Sequence, residues 1–194
     1  MQQNEYAPDY LILVNKEHKL PADYEKTIEL CEIESVRGKV SFAERETVSA
    51  FVKLQSRLSE MGIEGGTHGP YRSLEAQKEI LERFIRKYGE DYAHRTAAEP
   101  GTSEHHTGLA IDLLLKVDGE WKSEHADLYA QEQTYQKIHQ VLFEFGFILR
   151  YPRGKEAITG FNYEPWHIRY VGKEAAKKIY EQGITLEEYL ASKP

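Results

Sequence analysis

The sequence predicts an α+β fold: a mainly antiparallel central sheet flanked by helices. Three observations carry this expectation. The run LAIDLLLKV, residues 109–117, is apolar except for one aspartate and one lysine and is too short for a helix of its own. Two stretches, one after Ser41 and one after Ser73, repeat apolar residues at helical spacing. Late in the chain, FILRY (147–151), AITGFNY (157–163) and HIRYV (167–171) read as short strands separated by turn residues. No repeat, low-complexity tract or linker divides the 194 residues, so one domain is expected over 1–194, with a flexible segment at 1–9.

In chain order, YLILVN (10–15) reads as a strand and HKLPADY (18–24) as an extended segment, because a residue before proline avoids the helical region. Ser41 and Glu44 stand at capping-box spacing and predict a helix start, with Val48, Phe51, Val52, Leu58 and Met61 on one face until Gly62. The glycine-rich GIEGGTHGPYRS (62–73) is loop or broken strand. Ser73 caps a second helix with Ile80, Leu81, Phe84, Ile85 and Tyr88 as its buried stripe. Residues 93–108 form a long polar connection, of the kind that often carries function. After the 109–117 strand, DGEW (118–121) is a hairpin turn. A third helix spans about 129–145 and stops at Gly146. Two brief helices close the chain, the second opened by Thr185 and Glu188.

Composition excludes several classes. With 40% hydrophobic and 11% aromatic residues the chain can bury a core, and its net charge of -7 argues against a nucleic-acid surface. Lys173, Lys177 and Lys178 read as the solvated face of a helix. The single cysteine, Cys31, forms no internal disulfide and reads as a small buried apolar residue. No window is long and apolar enough for a membrane span, and residues 1–9 lack the basic and apolar regions of a signal peptide. The expected location is the cytoplasm, or the cell envelope if an export signal has been trimmed; a monomer is expected.

Histidine and carboxylate concentrate in SEHHTGLAID (103–112) and YEPWHIRY (163–170). Catalytic zinc sites take three protein ligands, and two imidazoles with one carboxylate suit zinc better than the all-oxygen shells of calcium or magnesium. His105 and Asp112 are seven apart and would face opposite sides of a straight strand, so Gly108 must turn the chain between them. Asp112 among apolar neighbours needs a partner, which is either a metal or a set of amides and an arginine. Pro165 keeps Glu164 out of a helix, leaving it at a strand entrance with His167 inside the strand. His106 should point away from His105. His18, His68, His94, His125 and His139 lack comparable spacing, and His68 is expected to face solvent at the border of a cleft.

Taken together, Ser-x-His-x-x-Gly-x-Ala-x-Asp at 103–112 and Glu-x-Trp-His at 164–167 resemble the zinc D-alanyl-D-alanine and L,D-carboxypeptidases of bacterial cell walls, the VanY and LdcB type. LVNKEHKLPADY, YRSLEAQ and GFILRYPRGKEAITGFNYEPWHIRYVG match further blocks, in order, over nearly the whole chain. The departures are Lys19, where a proline is usual, and Gly69-Pro70, where relatives have a more regular strand before Arg72. The resemblance implies the Hedgehog/DD-peptidase fold and one zinc ion on His105, Asp112 and His167. It also implies Glu164 as catalytic base on the attacking water and Arg72 as the substrate-side cation. Ser103, Ser73, Gln77, Arg150 and Tyr151 fall at family positions near the substrate. The implied reaction removes the C-terminal D-alanine from peptidoglycan stem peptides. A D-Ala-D-Ala dipeptidase or dual enzyme of the cytoplasmic resistance type is the alternative within the same chemistry. A non-catalytic zinc-binding module is the alternative outside it.

Overall fold

The computed structural model describes residues 8–193 except Ala22; the expected flexible segment 1–9 lies almost wholly outside these residues. Strands β1 (Leu30–Glu34) and β2 (Val40–Glu44) form an antiparallel hairpin that feeds helix α1 (Arg45–Glu60). After β3 (Gly65–Thr67) come α2 (Leu74–Tyr88) and α3 (Glu90–Thr96). The long strand β4 (Ala110–Val117) then turns into β5 (Glu120–Lys122) at Asp118 and Gly119, both at positive φ as a tight hairpin turn requires. Helices α4 (His125–Tyr129) and α5 (Glu132–His139) lead to β6 (Phe147–Leu149), then α6 (Glu156–Thr159), β7 (His167–Tyr170), α7 (Lys173–Gln182) and α8 (Leu186–Ala191). The main sheet runs β3-β4-β7-β6, with β5 also on β4, and every pairing is antiparallel. Among the described residues no helix is long and apolar enough to cross a membrane.

The period of two along β4 sorts its side chains. Ile111, Leu113 and Leu115 enter the core with Phe51, Leu54 and Leu58 of α1, while Asp112 and Leu114 line a cleft on the other face. All three α1 residues are fully buried, each contributing about 1.5–3 kcal/mol by leaving water. Gln77 and Leu81 are the buried residues of α2, which forms one wall of the cleft.

Several local expectations are corrected. Residues 10–15 form no strand: Leu11, Leu13 and Val14 are drawn inward, while the carbonyls of Tyr10 and Ile12 accept from the Arg169 side chain rather than a ladder. Ser41–Glu44 belong to β2 because Leu30–Glu34 pair with them; the helix opens at Arg45, and the Glu44 carboxylate itself caps it by accepting from the Thr47 amide at 3.0 Å. The 129–145 stripe is split into α5 and a tighter 3₁₀ turn at Leu142–Phe145, with α4 preceding it. Tyr135, Ile138 and Leu142 still face the core, and Gly146 ends the turn at φ +84°. AITGFNY holds the one-turn α6 instead of a strand, stopped by Gly160 in the left-handed region. Residues 93–108 contain the end of α3 and a 3₁₀ turn at Glu104–Thr107. Cys31 is only half-buried, in β1. Lys173, Lys177 and Lys178 do lie on the exposed face of α7, the latter two in i,i+4 pairs with Glu181 and Glu174.

Gly108 makes the bend ahead of β4. Its φ is +69°, its carbonyl accepts from the Glu44 amide at 2.9 Å, and a Cβ there would stand 2.8 Å from that amide nitrogen. Left-handed backbone costs a residue with a side chain about 1–2 kcal/mol, and forcing atoms into a packed site roughly 1–3 kcal/mol more. Gly108→Ala is therefore expected to destabilise the protein by roughly 2–5 kcal/mol in denaturant unfolding; a wild-type midpoint would contradict this account of the bend.

Candidate active site

The cleft between the sheet and α2 has a volume of about 630 Å³, and the two histidine-rich segments meet at its floor. His105 arrives on the 3₁₀ turn, which Ser103 caps by accepting from the His105 amide at 3.4 Å. Asp112 is on β4 and His167 on β7, and the two are direct register partners across the antiparallel pair. Glu164 reaches the same place through a tight turn: the His167 amide donates to the Glu164 carbonyl at 3.2 Å, with Pro165 second in the turn, where its fixed φ is favoured. His139 on α5 donates to the Pro165 carbonyl at 2.8 Å, and Tyr129 to the Tyr163 carbonyl at 2.6 Å, so two helices pin this turn.

His105, Asp112 and His167 each offer a ligand atom within 4.8 Å of the others. His105 Nε2 is 3.4 Å from Asp112 Oδ2, and His167 Nδ1 is 3.2 Å from Asp112 Oδ1. Zinc bonds of about 2.0–2.2 Å place tetrahedral neighbours roughly 3.4 Å apart, close to both of these contacts, and two imidazoles with one carboxylate are donors that zinc takes. The outer nitrogens agree. His105 Nδ1 donates to the Pro70 carbonyl at 2.6 Å, which leaves Nε2 as the bare ligand atom. Burial, helped by the Arg72 cation, pulls the His105 pKa down to about 4, so the ring is neutral. His167 behaves differently. Burial opposes its charge, but hydrogen bonds with Asp112 and Glu104 outweigh that and push its pKa up to about 9. Asp112 is half-buried, and His105 and Arg72 hold it well below the usual carboxylate range against the desolvation that would raise it.

Glu164 stands outside this donor set, with Oε2 at 3.8 Å from His167 Nδ1. Its carboxyl is buried, and burial pushes its pKa up to about 8. Arg72 contacts Asp112 directly through Nη2 and lines the cleft. Its backbone is locked to the metal loop on both sides: the Arg72 amide donates to the His105 carbonyl at 3.2 Å, and the Arg72 carbonyl accepts from His106 Nδ1 at 2.7 Å. Gly69-Pro70 thus does not displace Arg72, since Pro70 supplies the carbonyl that orients His105. His106 spends its other nitrogen on the Gly101 amide at 3.0 Å, so it braces the loop and is not a ligand.

The remaining candidates divide. Ser103, Gln77 and Tyr151 line the cleft; Gln77 donates to the Ala98 carbonyl at 2.8 Å with its Oε1 unpartnered, and the Tyr151 ring lies 4.7 Å from His167. Ser73 is away from the cleft lining and serves as the α2 cap, accepting from the Ala76 amide at 3.2 Å. Arg150 is also corrected: it is wholly buried between Glu104 and Glu187 and does not line the cleft. His68 lines the cleft and bonds Ser35 at 3.0 Å instead of facing solvent. Sequence reasoning missed His125 and Trp166, whose rings lie 4.6 Å apart at a tilt in the cleft wall, and above all Glu104. The signal for Glu104 was a carboxylate adjacent to a proposed ligand in an otherwise buried loop.

Residues 41–173 match the VanY model, D-alanyl-D-alanine carboxypeptidase. The chain belongs to this family. It is 36% identical over 192 residues to a D-alanyl-D-alanine carboxypeptidase of Enterococcus faecalis, covering 93% of this chain and 65% of that protein. A vancomycin-resistance D,D-pentapeptidase VanY from a VanB-type cassette, solved in complex with Zn(II), superposes with a TM-score of 0.80 at 35% identity, over 94% of this chain and 99% of that one. The LdcB LD-carboxypeptidase gives 0.78 at 34% identity, over 95% and 87%. The fold is therefore that of the VanY and LdcB carboxypeptidases. The chain spans just under two thirds of the length of the first curated relatives it matches.

Proposed function

We propose that this protein is a zinc carboxypeptidase that hydrolyses the C-terminal D-alanine from peptidoglycan stem peptides. The observation that carries this reading is Glu164, a buried carboxylate beside the donor triad but not part of it. A metal site kept only for structure needs no such group. Zinc bound by His105, Asp112 and His167 supplies a Lewis acid and water acidified to a pKa of about 7. Glu164 takes a proton from the attacking water and passes it to the leaving amine. Arg72 holds the free terminal carboxylate, because a guanidinium fork recognises carboxylate by two parallel charge-assisted bonds. Tyr151 and Trp166 wall the site and keep bulk water from the reacting bond.

Likeness to a D-alanyl-D-alanine carboxypeptidase and to a D,D-pentapeptidase favours a D,D bond, whereas likeness to the LdcB LD-carboxypeptidase favours an L,D bond. Incubation with dipeptide, tetrapeptide and pentapeptide stems, with products identified by mass spectrometry, separates these cases and the dipeptidase. Loss of a single terminal D-alanine is expected. Cleavage confined to the free dipeptide would replace carboxypeptidase with dipeptidase, and zinc binding with no hydrolysis would leave a binding module. Treatment with a zinc chelator should abolish turnover, with recovery on adding one equivalent of zinc; chelator-resistant hydrolysis would end the metallopeptidase reading.

A further inference from the structure

We propose that Glu104 is a positioning residue for His167, and that Arg150 and Arg169 couple both ends of the chain to the metal site through it. The inference rests on the reading of His167 as a metal ligand. Glu104 is almost wholly buried, and its two oxygens have different tasks. Oε1 accepts from Arg150 Nε at 2.6 Å and from Arg169 Nη1 at 2.5 Å. Oε2 faces His167 Nε2 at 3.3 Å.

The chemistry of a histidine ligand explains the second contact. A neutral imidazole that binds metal through Nδ1 carries its proton on Nε2, and an acceptor there fixes the tautomer and ring plane and raises the basicity of Nδ1. Glu104 is that acceptor. The Pro70 carbonyl does the same for His105 from the opposite ring nitrogen, so the two histidines present Nε2 and Nδ1 respectively. Arg150 and Arg169 together engage Oε1, which leaves Oε2 to accept from His167.

Each arginine also reaches outward. Arg150 Nη1 and Nη2 grip Glu187 of α8 at 2.9 and 2.6 Å. Arg169 Nη2 donates to the carbonyls of Tyr10 and Ile12 at 3.1 and 2.8 Å. The N-terminal segment and the C-terminal helix therefore converge on one carboxylate, which bears on one metal-binding ring.

Zinc affinity, measured by chelator competition with the folded fraction followed by circular dichroism, tests this. His167→Ala should lose tight binding, and folded Glu104→Gln should bind zinc about 10- to 100-fold more weakly. Imidazole ¹⁵N resonances of the zinc-loaded wild-type protein should show His167 protonated at Nε2 and His105 at Nδ1. If His167→Ala loses zinc while folded Glu104→Gln keeps wild-type affinity, the positioning role is overturned and the ligand reading survives. Unchanged affinity in His167→Ala would instead remove the ligand reading and this inference with it. If Glu104→Gln does not fold, the wild-type resonances decide: a proton on His167 Nε2 supports the role, and one on Nδ1 overturns it.

Discussion

Replacing Glu164 by glutamine should lower kcat by roughly 10²- to 10⁴-fold, the range that general acid–base catalysis supplies. Glutamine keeps the shape of the side chain and its hydrogen-bonding reach but takes no proton from water. Zinc content should be unchanged, because Glu164 is not among the three donors within 4.8 Å of one another. Stability supplies an independent check in the metal-free protein. The Glu164 carboxyl is raised by burial from an ordinary value near 4.5 to about 8. A raised folded-state pKa means that the stabilising contribution is complete below the unfolded value and is lost as pH climbs through the folded one. The buried glutamine has no charge to desolvate, so it escapes this loss. The melting temperature of Glu164→Gln relative to wild type should therefore rise between about pH 4.5 and pH 8. Near-normal turnover in this variant, with zinc bound, would sink the assignment of the base.

The same residue shows what the sequence could and could not reveal. Pro165 ruled out a helical Glu-x-x-His arrangement, leaving an unspecified irregularity to bring Glu164 and His167 together. That irregularity is a β-turn, whose second position suits proline. The convergence of His105 with Asp112 required a bend at Gly108, and its left-handed backbone supplies one. The alignment of Asp112 with His167 was not legible, because it depends on which residues of β4 and β7 face each other. Sequence spacing carries no such register.

The corrected elements have related causes. Residues 10–15 were apolar enough to be buried, but burial does not entail a ladder when an arginine can satisfy the backbone. Ser41 and Glu44 had the spacing of a capping box, but their backbone was already engaged by β1, so only the glutamate took part in the cap. The signals that succeeded were local: Ser73 capping α2, Thr185 and Glu188 in a reciprocal box, and Asp118-Gly119 in a hairpin turn. Arg150 looked like a substrate residue because its partners, Glu104 and Glu187, lie dozens of residues away and only folding brings them to it.

Arg72 offers the second large effect. Arg150 and Arg169 are closed off by carboxylates and backbone carbonyls, so Arg72 is the arginine that both touches the triad and faces the cleft. Truncating one side of a hydrogen-bonded charge pair costs roughly 2–5 kcal/mol, so Arg72→Ala should lower kcat/KM on a free-acid stem peptide by about 30- to 4,000-fold. Because Arg72 also contacts Asp112, a fall in activity alone would not separate substrate recognition from damage to the metal site. A peptide amidated at its C-terminus makes the separation. Wild-type protein should strongly prefer the acid, since the amide leaves the guanidinium without its anionic partner. Arg72→Ala should turn over acid and amide almost equally, at whatever level its zinc site allows. Arg72→Lys should recover part of the preference, as it restores the charge but not the planar fork. If Arg72→Ala still favours the acid as strongly as wild type does, the carboxylate is read elsewhere in the cleft, and the role of Arg72 is confined to its contact with Asp112.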